Sequence, residues 1–185
     1  MGNSWFLLLT DIDLFSPVCS GELLEIAKLK TPFLDRNVKV VALIPNTPND
    51  QADWLKEAET ALRVPFPFPL ISDPDLSVCK HLGIVAQDDK IPIPRTVLLV
   101  DPNKKIRSLL QYPDPVGRSL VEILRLIDAL QLTEKYPVAT PVNWNDGNDV
   151  YVLPQGVDKK KLDILFPTGV KQINPFTRIT QQPNK

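Results

Sequence analysis

Hydrophobic and polar positions alternate along this chain in blocks that predict an α/β order. Trp5 to Thr10 is an unbroken apolar run of strand length, the pattern of a strand covered on both faces. After a polar break at Asp11-Ile12-Asp13, Ser16 and Pro17 carry a helix-start signature, and Leu23, Ile26, Ala27 and Leu34 follow at helical spacing. Val38 to Ile44 reads as a second buried strand. Thr47-Pro48 opens a helix bearing Ala52, Leu55, Ala58 and Leu62. Pro67 to Ile71 is expected as a short strand closed by Ser72-Asp73-Pro74-Asp75, followed by a short helix to about Leu82 that stops at Gly83. Residues 84–94, with prolines at 92 and 94, read as a loop. Arg95–Val100 and Ile106–Tyr112 flank the turn Asp101-Pro102-Asn103-Lys104 as a hairpin. Ser119 and Glu122 form a capping box before Leu120, Ile123, Leu124, Ile127 and Leu130, an amphipathic helix. The order is βαβαβα, a hairpin, then a helix: an α/β sheet with an antiparallel part.

From Tyr136 the texture changes. Prolines, the polar stretch Asn143–Gly147 and the short apolar run Val150–Leu153 predict a small, loop-rich appendage. The expected division is therefore residues 1–135 and 136–185.

Composition narrows the function classes. A net charge of -1 gives no footing for a nucleic-acid partner or a membrane surface. The early apolar run lacks a basic flank and a cleavage site, so it reads as a strand and not as a leader or membrane span. Nineteen prolines against seven glycines predict stiff loops and proline-started helices. The two cysteines, Cys19 and Cys79, form no CxxC pair, and with the single His81 they make no metal-ligand spacing; no metal or organic cofactor is expected. A cytoplasmic, reducing location is the default expectation, where such cysteines stay thiols.

Cys19 stands three residues after Ser16, in the first turn of its helix. Free N–H groups and the positive end of the helix dipole stabilise an anion there, and a thiolate so placed titrates at about 3.5–7.5 rather than about 8.5. On composition alone, the favoured reading is a small buried hydrophobe. Cys79, among apolar neighbours in its short helix, reads as a resolving cysteine or as a buried structural thiol, and His81 as a charge partner of that helix's C-terminal end.

Phe15-Ser16-Pro17-Val18-Cys19-Ser20-Gly21-Glu22-Leu23 resembles the peroxiredoxin active-site segment. Further matches are Arg36–Val40, Pro67-Phe68-Pro69, Asp101–Lys105, Gly117-Arg118-Ser119, Glu122–Arg125 and Leu130–Thr133. Val138–Trp144 resembles the start of the extra C-terminal domain of one-cysteine, peroxiredoxin-6-like proteins. The resemblance implies a thioredoxin-like fold with a small C-terminal peroxiredoxin appendage. It implies a thiol-dependent peroxidase acting on hydrogen peroxide and organic hydroperoxides, with an external thiol as reductant and a homodimeric assembly. It gives Cys19 the peroxidatic role, Ser16 a hydroxyl that bonds the thiolate and peroxide, and Arg95 the guanidinium that lowers the thiolate pKa and polarises the O–O bond. Glu22 and Arg118 become a buttressing charge pair.

The chain departs from that family at two places. Asp11-Ile12 stands where the family has His-Pro, and Asp13 adds a further carboxylate; an anion near a thiolate raises its pKa. The family also has an N-terminal hairpin and first strand before the position of Ser4-Trp5. These departures give a second expectation: a degenerate peroxiredoxin-like protein serving as a binding or redox-sensing module.

Overall fold

The computed structural model describes residues 2–85, 94–153 and 159–183. It divides into two compact units, Met1–Leu120 and Val121–Lys185. The helix starting at Leu120 thus groups with the C-terminal part, whereas the change of sequence texture put the boundary after residue 135.

The first unit is built on a five-stranded sheet in the order β3-β2-β1-β4-β5. Its strands are β1 (Trp5–Thr10), β2 (Val38–Ile44), β3 (Leu70–Ser72), β4 (Arg95–Val100) and β5 (Ile106–Tyr112). The apolar run at Trp5 becomes the central strand, as its unbroken hydrophobicity requires. It pairs parallel with β2, Trp5 against Val38 through Thr10 against Leu43, and antiparallel with β4, Phe6 against Val100 through Leu9 against Val97. β4 and β5 form the expected hairpin, with Arg95 opposite Tyr112. β3 is shorter and later than Pro67–Ile71: Pro67 and Pro69 have no N–H to give a ladder, so pairing starts at Leu70.

The helices are α1 (Pro17–Lys28), α2 (Lys30–Asp35), α3 (Pro48–Leu62) and α4 (Ser77–His81). The apolar spacing that runs on to Leu34 belongs to two helices, broken at Leu29. Pro32 is the cause. In one continuous helix its ring would clash with the carbonyl of residue 28 and leave that carbonyl without a donor, whereas in the first turn of a new helix a missing N–H costs nothing. Thr47 caps α3 with a reciprocal capping box to Asp50. Leu14, Leu23, Ala42, Ile44, Trp54 and Ala58 form one buried cluster joining α1, α3 and the sheet. A second, Leu43, Cys79, Ile84, Val85 and Leu98, seats α4. Of the loop expected over 84–94, residues 86–93 lie outside the described residues.

The second unit contains α5 (Leu120–Lys135), α6 (Lys159–Leu165) and a four-stranded antiparallel sheet. Its strands are β6 (Val138–Ala139), β7 (Val150–Val152), β8 (Lys171–Asn174) and β9 (Thr177–Thr180), in the order β6-β7-β9-β8. The appendage is therefore more regular than its sequence suggested. Trp144, fully buried with Val138, Val150, Val152, Leu162 and Phe166, is the centre of a separate core, and its indole N–H donates to the Asn148 carbonyl at 3.0 Å. No described helix is long and apolar enough to cross a membrane.

Candidate active site

Cys19 is the third residue of α1 and is completely buried. Ser16 occupies the N-cap position with extended backbone angles, but its side chain makes no cap bond; its carbonyl accepts from Ser20 N at 2.9 Å. Ser20, next to the cysteine, is fixed from α3, where Trp54 Nε1 donates to its hydroxyl at 2.9 Å. The turn between β1 and α1 is pinned by Asn46. Its amide oxygen accepts from Leu14 N, and its Nδ2 donates to Asp13 Oδ1 at 3.0 Å. Asp13 Oδ1 also accepts from Phe15 N, so this carboxylate is engaged locally.

Asp11 behaves differently. It sits just past the end of β1, entirely buried, and meets two buried arginines. Arg95, the first residue of β4, donates from Nε to Asp11 Oδ1 at 3.0 Å. Its Nη2 donates to Glu22 Oε2, and its Nη1 to the Asp114 and Val116 carbonyls at 3.2 and 2.7 Å. Arg118 donates from Nη1 to Asp11 Oδ2 at 3.2 Å and to Glu22 Oε2 at 3.1 Å. Its backbone N–H donates to Glu22 Oε1 and its Nη2 to the Thr10 carbonyl, while its Nε is buried without a partner. Two carboxylates and two guanidiniums thus form a closed, charge-matched cluster drawn from four separate parts of the chain. Such a set survives burial only because each charge is met by others and by directed hydrogen bonds.

The Cys19 thiol lies beside the Asp11 carboxylate. Burial pushes its pKa up, and Asp11 pushes in the same direction; the backbone N–H groups of Ile12 and Asp13 pull the other way without prevailing. Arg95 is pushed above its already high value: burial opposes its charge, but Glu22 and Asp11 outweigh that.

The structure therefore brings Cys19, Glu22, Arg95 and Arg118 into one site, with Ser16 at the helix start. Arg95 and the Cys19 sulfur share Asp11 as a neighbour. Glu22 and Arg118 do pair, and each also serves a second partner. The joint hold of both arginines on Asp11, and the carbonyls of Thr10, Asp114 and Val116 that complete it, carry no sequence signal, since backbone acceptors are anonymous and the partners lie far apart along the chain.

Cys79 is buried in α4, where burial and the neighbouring Asp73 push its pKa up to about 12. Burial works against the charge of Asp73, but N–H groups of Val78 and Cys79 donate to it at 2.9 Å each and hold its carboxyl below the ordinary range. Among the described residues, no group of three or more His, Cys, Asp or Glu is arranged to hold a metal ion.

Comparison with known proteins agrees with this architecture. Residues 2–109 match the AhpC/TSA family, and residues 129–161 match the C-terminal domain of 1-Cys peroxiredoxin. The 1-Cys peroxiredoxin of Dictyostelium discoideum is 38% identical over 188 residues, covering 100% of this chain and 77% of that protein. A mutant of the peroxiredoxin 6 of Arenicola marina superposes with a TM-score of 0.87 at 34% identity, covering 100% of this chain and 88% of that one. The yeast mitochondrial 1-Cys peroxiredoxin gives the same TM-score and identity over 97% of this chain and 87% of its own. Full-length similarity to these proteins, on a thioredoxin-like α/β unit joined to the 1-Cys C-terminal domain, makes this chain a member of the 1-Cys, peroxiredoxin-6-like branch of the peroxiredoxins, a family of thiol-dependent peroxidases.

Proposed function

We propose that Cys19 is the peroxidatic residue and that the chain reduces hydrogen peroxide and organic hydroperoxides through it. The observation that carries this reading is the position of Cys19 in the first turn of α1, joined through Asp11 to the buried guanidiniums of Arg95 and Arg118. The Cys19 sulfur attacks the terminal peroxide oxygen. An S–O bond forms, the O–O bond breaks, and the leaving alkoxide or hydroxide takes the proton that the thiol released. Sulfenic acid and an alcohol or water result. Negative charge develops on the leaving oxygen, and a guanidinium already in place is the group that stabilises it. Arg95 has that role here; Glu22 and Arg118 hold it in register, and the Ser16 hydroxyl orients the peroxide at the helix start. An external thiol then attacks the sulfenic sulfur and releases water, and a second thiol resolves the mixed disulfide. The yeast relative, whose thiol is resolved via glutathione/thioredoxin systems, supports an external reductant.

The reading extends to assembly and location. β5 is the outer strand of its sheet and exposes Ile106 and Leu109. Pairing of this strand with its copy would be isologous and close at a homodimer. A reducing compartment such as the cytoplasm would keep both thiols reduced and supply the recycling thiol.

A second reading follows from the Asp11 carboxylate beside Cys19: a slow thiol that registers oxidation more than it turns over peroxide. One experiment tests both. Peroxide is added in stoichiometric amount, its consumption is followed with a small-thiol reductant, and sulfenic acid is trapped with a dimedone-type probe. Sustained turnover with label on Cys19 supports the peroxidase. Label on Cys19 without turnover supports the sensor. Label on Cys79 with Cys19 untouched defeats both.

A further inference from the structure

The donors of the two site arginines can be followed one by one. Arg95 uses Nε on Asp11, Nη2 on Glu22 and Nη1 on two carbonyls. Arg118 uses Nη1 on Asp11 and Glu22, and Nη2 on the Thr10 carbonyl. The donors that face Asp11 end on its oxygens, and the Cys19 thiol lies beside the same carboxylate. Asp11 thus takes guanidinium donors that an anionic sulfur or leaving oxygen needs during reaction. The other ionisable groups around Cys19 do not share this position. Glu22, on the same helix, is matched by both arginines, and the Asp13 carboxylate is bonded to Asn46 and to the N–H of Phe15.

Resting on the assignment of Cys19 as nucleophile, we propose that Asp11 is the positioning residue that sets its reactivity by keeping the guanidiniums occupied. The site is charge-complete without a thiolate. A thiolate at Cys19 would add one negative charge to a set already balanced, beside the Asp11 carboxylate. Removing the Asp11 charge reverses this: Arg95 and Arg118 then face Glu22 alone, and an anion at Cys19 restores the balance. Attack becomes faster because the nucleophile is ionised and because a guanidinium donor is released to the leaving oxygen. At the same position the resemblance of the chain to its family implies a histidine, which carries no fixed negative charge.

The test compares the full chain in three forms, each with Cys79→Ser so that one thiol remains. These are the parent, Asp11→Asn, and Asp11→Asn with Arg118→Met, which keeps one guanidinium against one carboxylate and guards against a variant that fails to fold. The rate of alkylation by iodoacetamide is followed from pH 5 to 11, and peroxide reduction is measured at pH 7. The parent midpoint should lie above the ordinary thiol value of about 8.5. Asp11→Asn should bring it below that value and raise the peroxide rate about tenfold or more; the double variant should fall between. Loosening of the fold alone would carry the midpoint only to the ordinary value. Coincident midpoints, a midpoint that stops at the ordinary value, or a parent that already titrates below pH 7 overturns the proposal. If no form gives peroxide-driven sulfenic acid on Cys19 at any pH, the peroxidase reading fails, while the alkylation midpoints still decide the role of Asp11.

Discussion

Glu22→Gln should be among the most destabilising single substitutions in the first unit. The Glu22 carboxylate accepts from Arg95 Nη2, from Arg118 Nη1 and from the Arg118 backbone N–H, and both guanidiniums are fully buried. Glutamine keeps the shape but loses the charge, and its amide nitrogen turns a donor toward donors. Two buried cations are then left with Asp11 alone. Breaking a buried ionic set from one side costs about 3–5 kcal/mol, because the uncompensated charge stays buried. In a chain of this length about 1 kcal/mol moves the melting temperature by about 2–4 °C, so the fall should be roughly 6–20 °C at pH 7. Thermal unfolding followed by circular dichroism measures it. Glu22→Gln with Arg118→Met removes one charge of each sign and should recover most of the loss, with a coupling of more than about 1 kcal/mol. The exposed pair Lys56–Asp53 supplies the contrast: Asp53→Asn should leave the melting temperature where it was. A Glu22→Gln protein that melts within 2 °C of wild type, or a double variant whose losses simply add, would refute the account of the cluster as a mutually dependent set.

Two further outcomes are expected. Burial and Asp73 push the Cys79 thiol up to about 12 in the folded protein, whereas it ionises at the ordinary thiol value once unfolded. The unfolded state therefore binds fewer protons above about pH 9, and stability should fall as pH rises from there toward 12. Cys79→Ser keeps a hydroxyl donor for Asp73 and should flatten this part of the stability–pH curve; superimposable alkaline slopes would disprove the linkage. Leu109→Lys places a charge on the exposed edge strand β5, and should raise the dimer dissociation constant tenfold or more in sedimentation equilibrium. A wild type that is monomeric at high micromolar concentration would reject the strand-paired dimer.

What could be read from sequence follows the range over which each signal acts. β1, β2, β4 and β5 were legible because burial on both faces, or a tight turn between partners, writes itself into consecutive residues. The break at Leu29 was masked because the apolar spacing continues across it, and the decisive residue, Pro32, lies three positions later. The strands of the second unit run two to four residues, too short for alternation to stand out from proline-rich loops. At the site, the helix-start position of Cys19 is a local property and was visible. The bonds of Arg95 and Arg118 to Asp11 span 84 and 107 residues, and no periodicity reaches that far. Resemblance to the family supplied Glu22, Arg95 and Arg118 as candidate site residues and marked Asp11 as a departure, but it could not show that both arginines bond Asp11, because the family has no carboxylate at that position.

Under the proposed assignment of Cys19 as nucleophile, the two cysteines differ in what lies behind their aspartates. Each is the third residue of a helix, each is buried, and each has an aspartate as neighbour: Asp11 for Cys19 and Asp73 for Cys79. Burial and a carboxylate push both thiols up, so neither helix position nor desolvation separates them. The difference lies behind the aspartate. Asp73 takes its bonds from the N–H groups of Val78 and Cys79 and from the Ser77 hydroxyl, dipoles that stabilise one carboxylate but carry no net charge to offset a second anion. Asp11 is backed by two guanidiniums, each also shared with Glu22. A thiolate formed beside Asp73 meets an anion with only dipoles against it, whereas one formed beside Asp11 meets an anion that two guanidiniums already balance. The proposed selectivity for Cys19 thus rests on the first residue of β4 and on Arg118 just before α5, remote in sequence from the cysteine. Arg95→Met in a chain that keeps both thiols should therefore narrow the difference between them: peroxide-driven labelling of Cys19 should fall at least tenfold while that of Cys79 stays at its low level. Undiminished labelling of Cys19 would show that the helix start alone activates it.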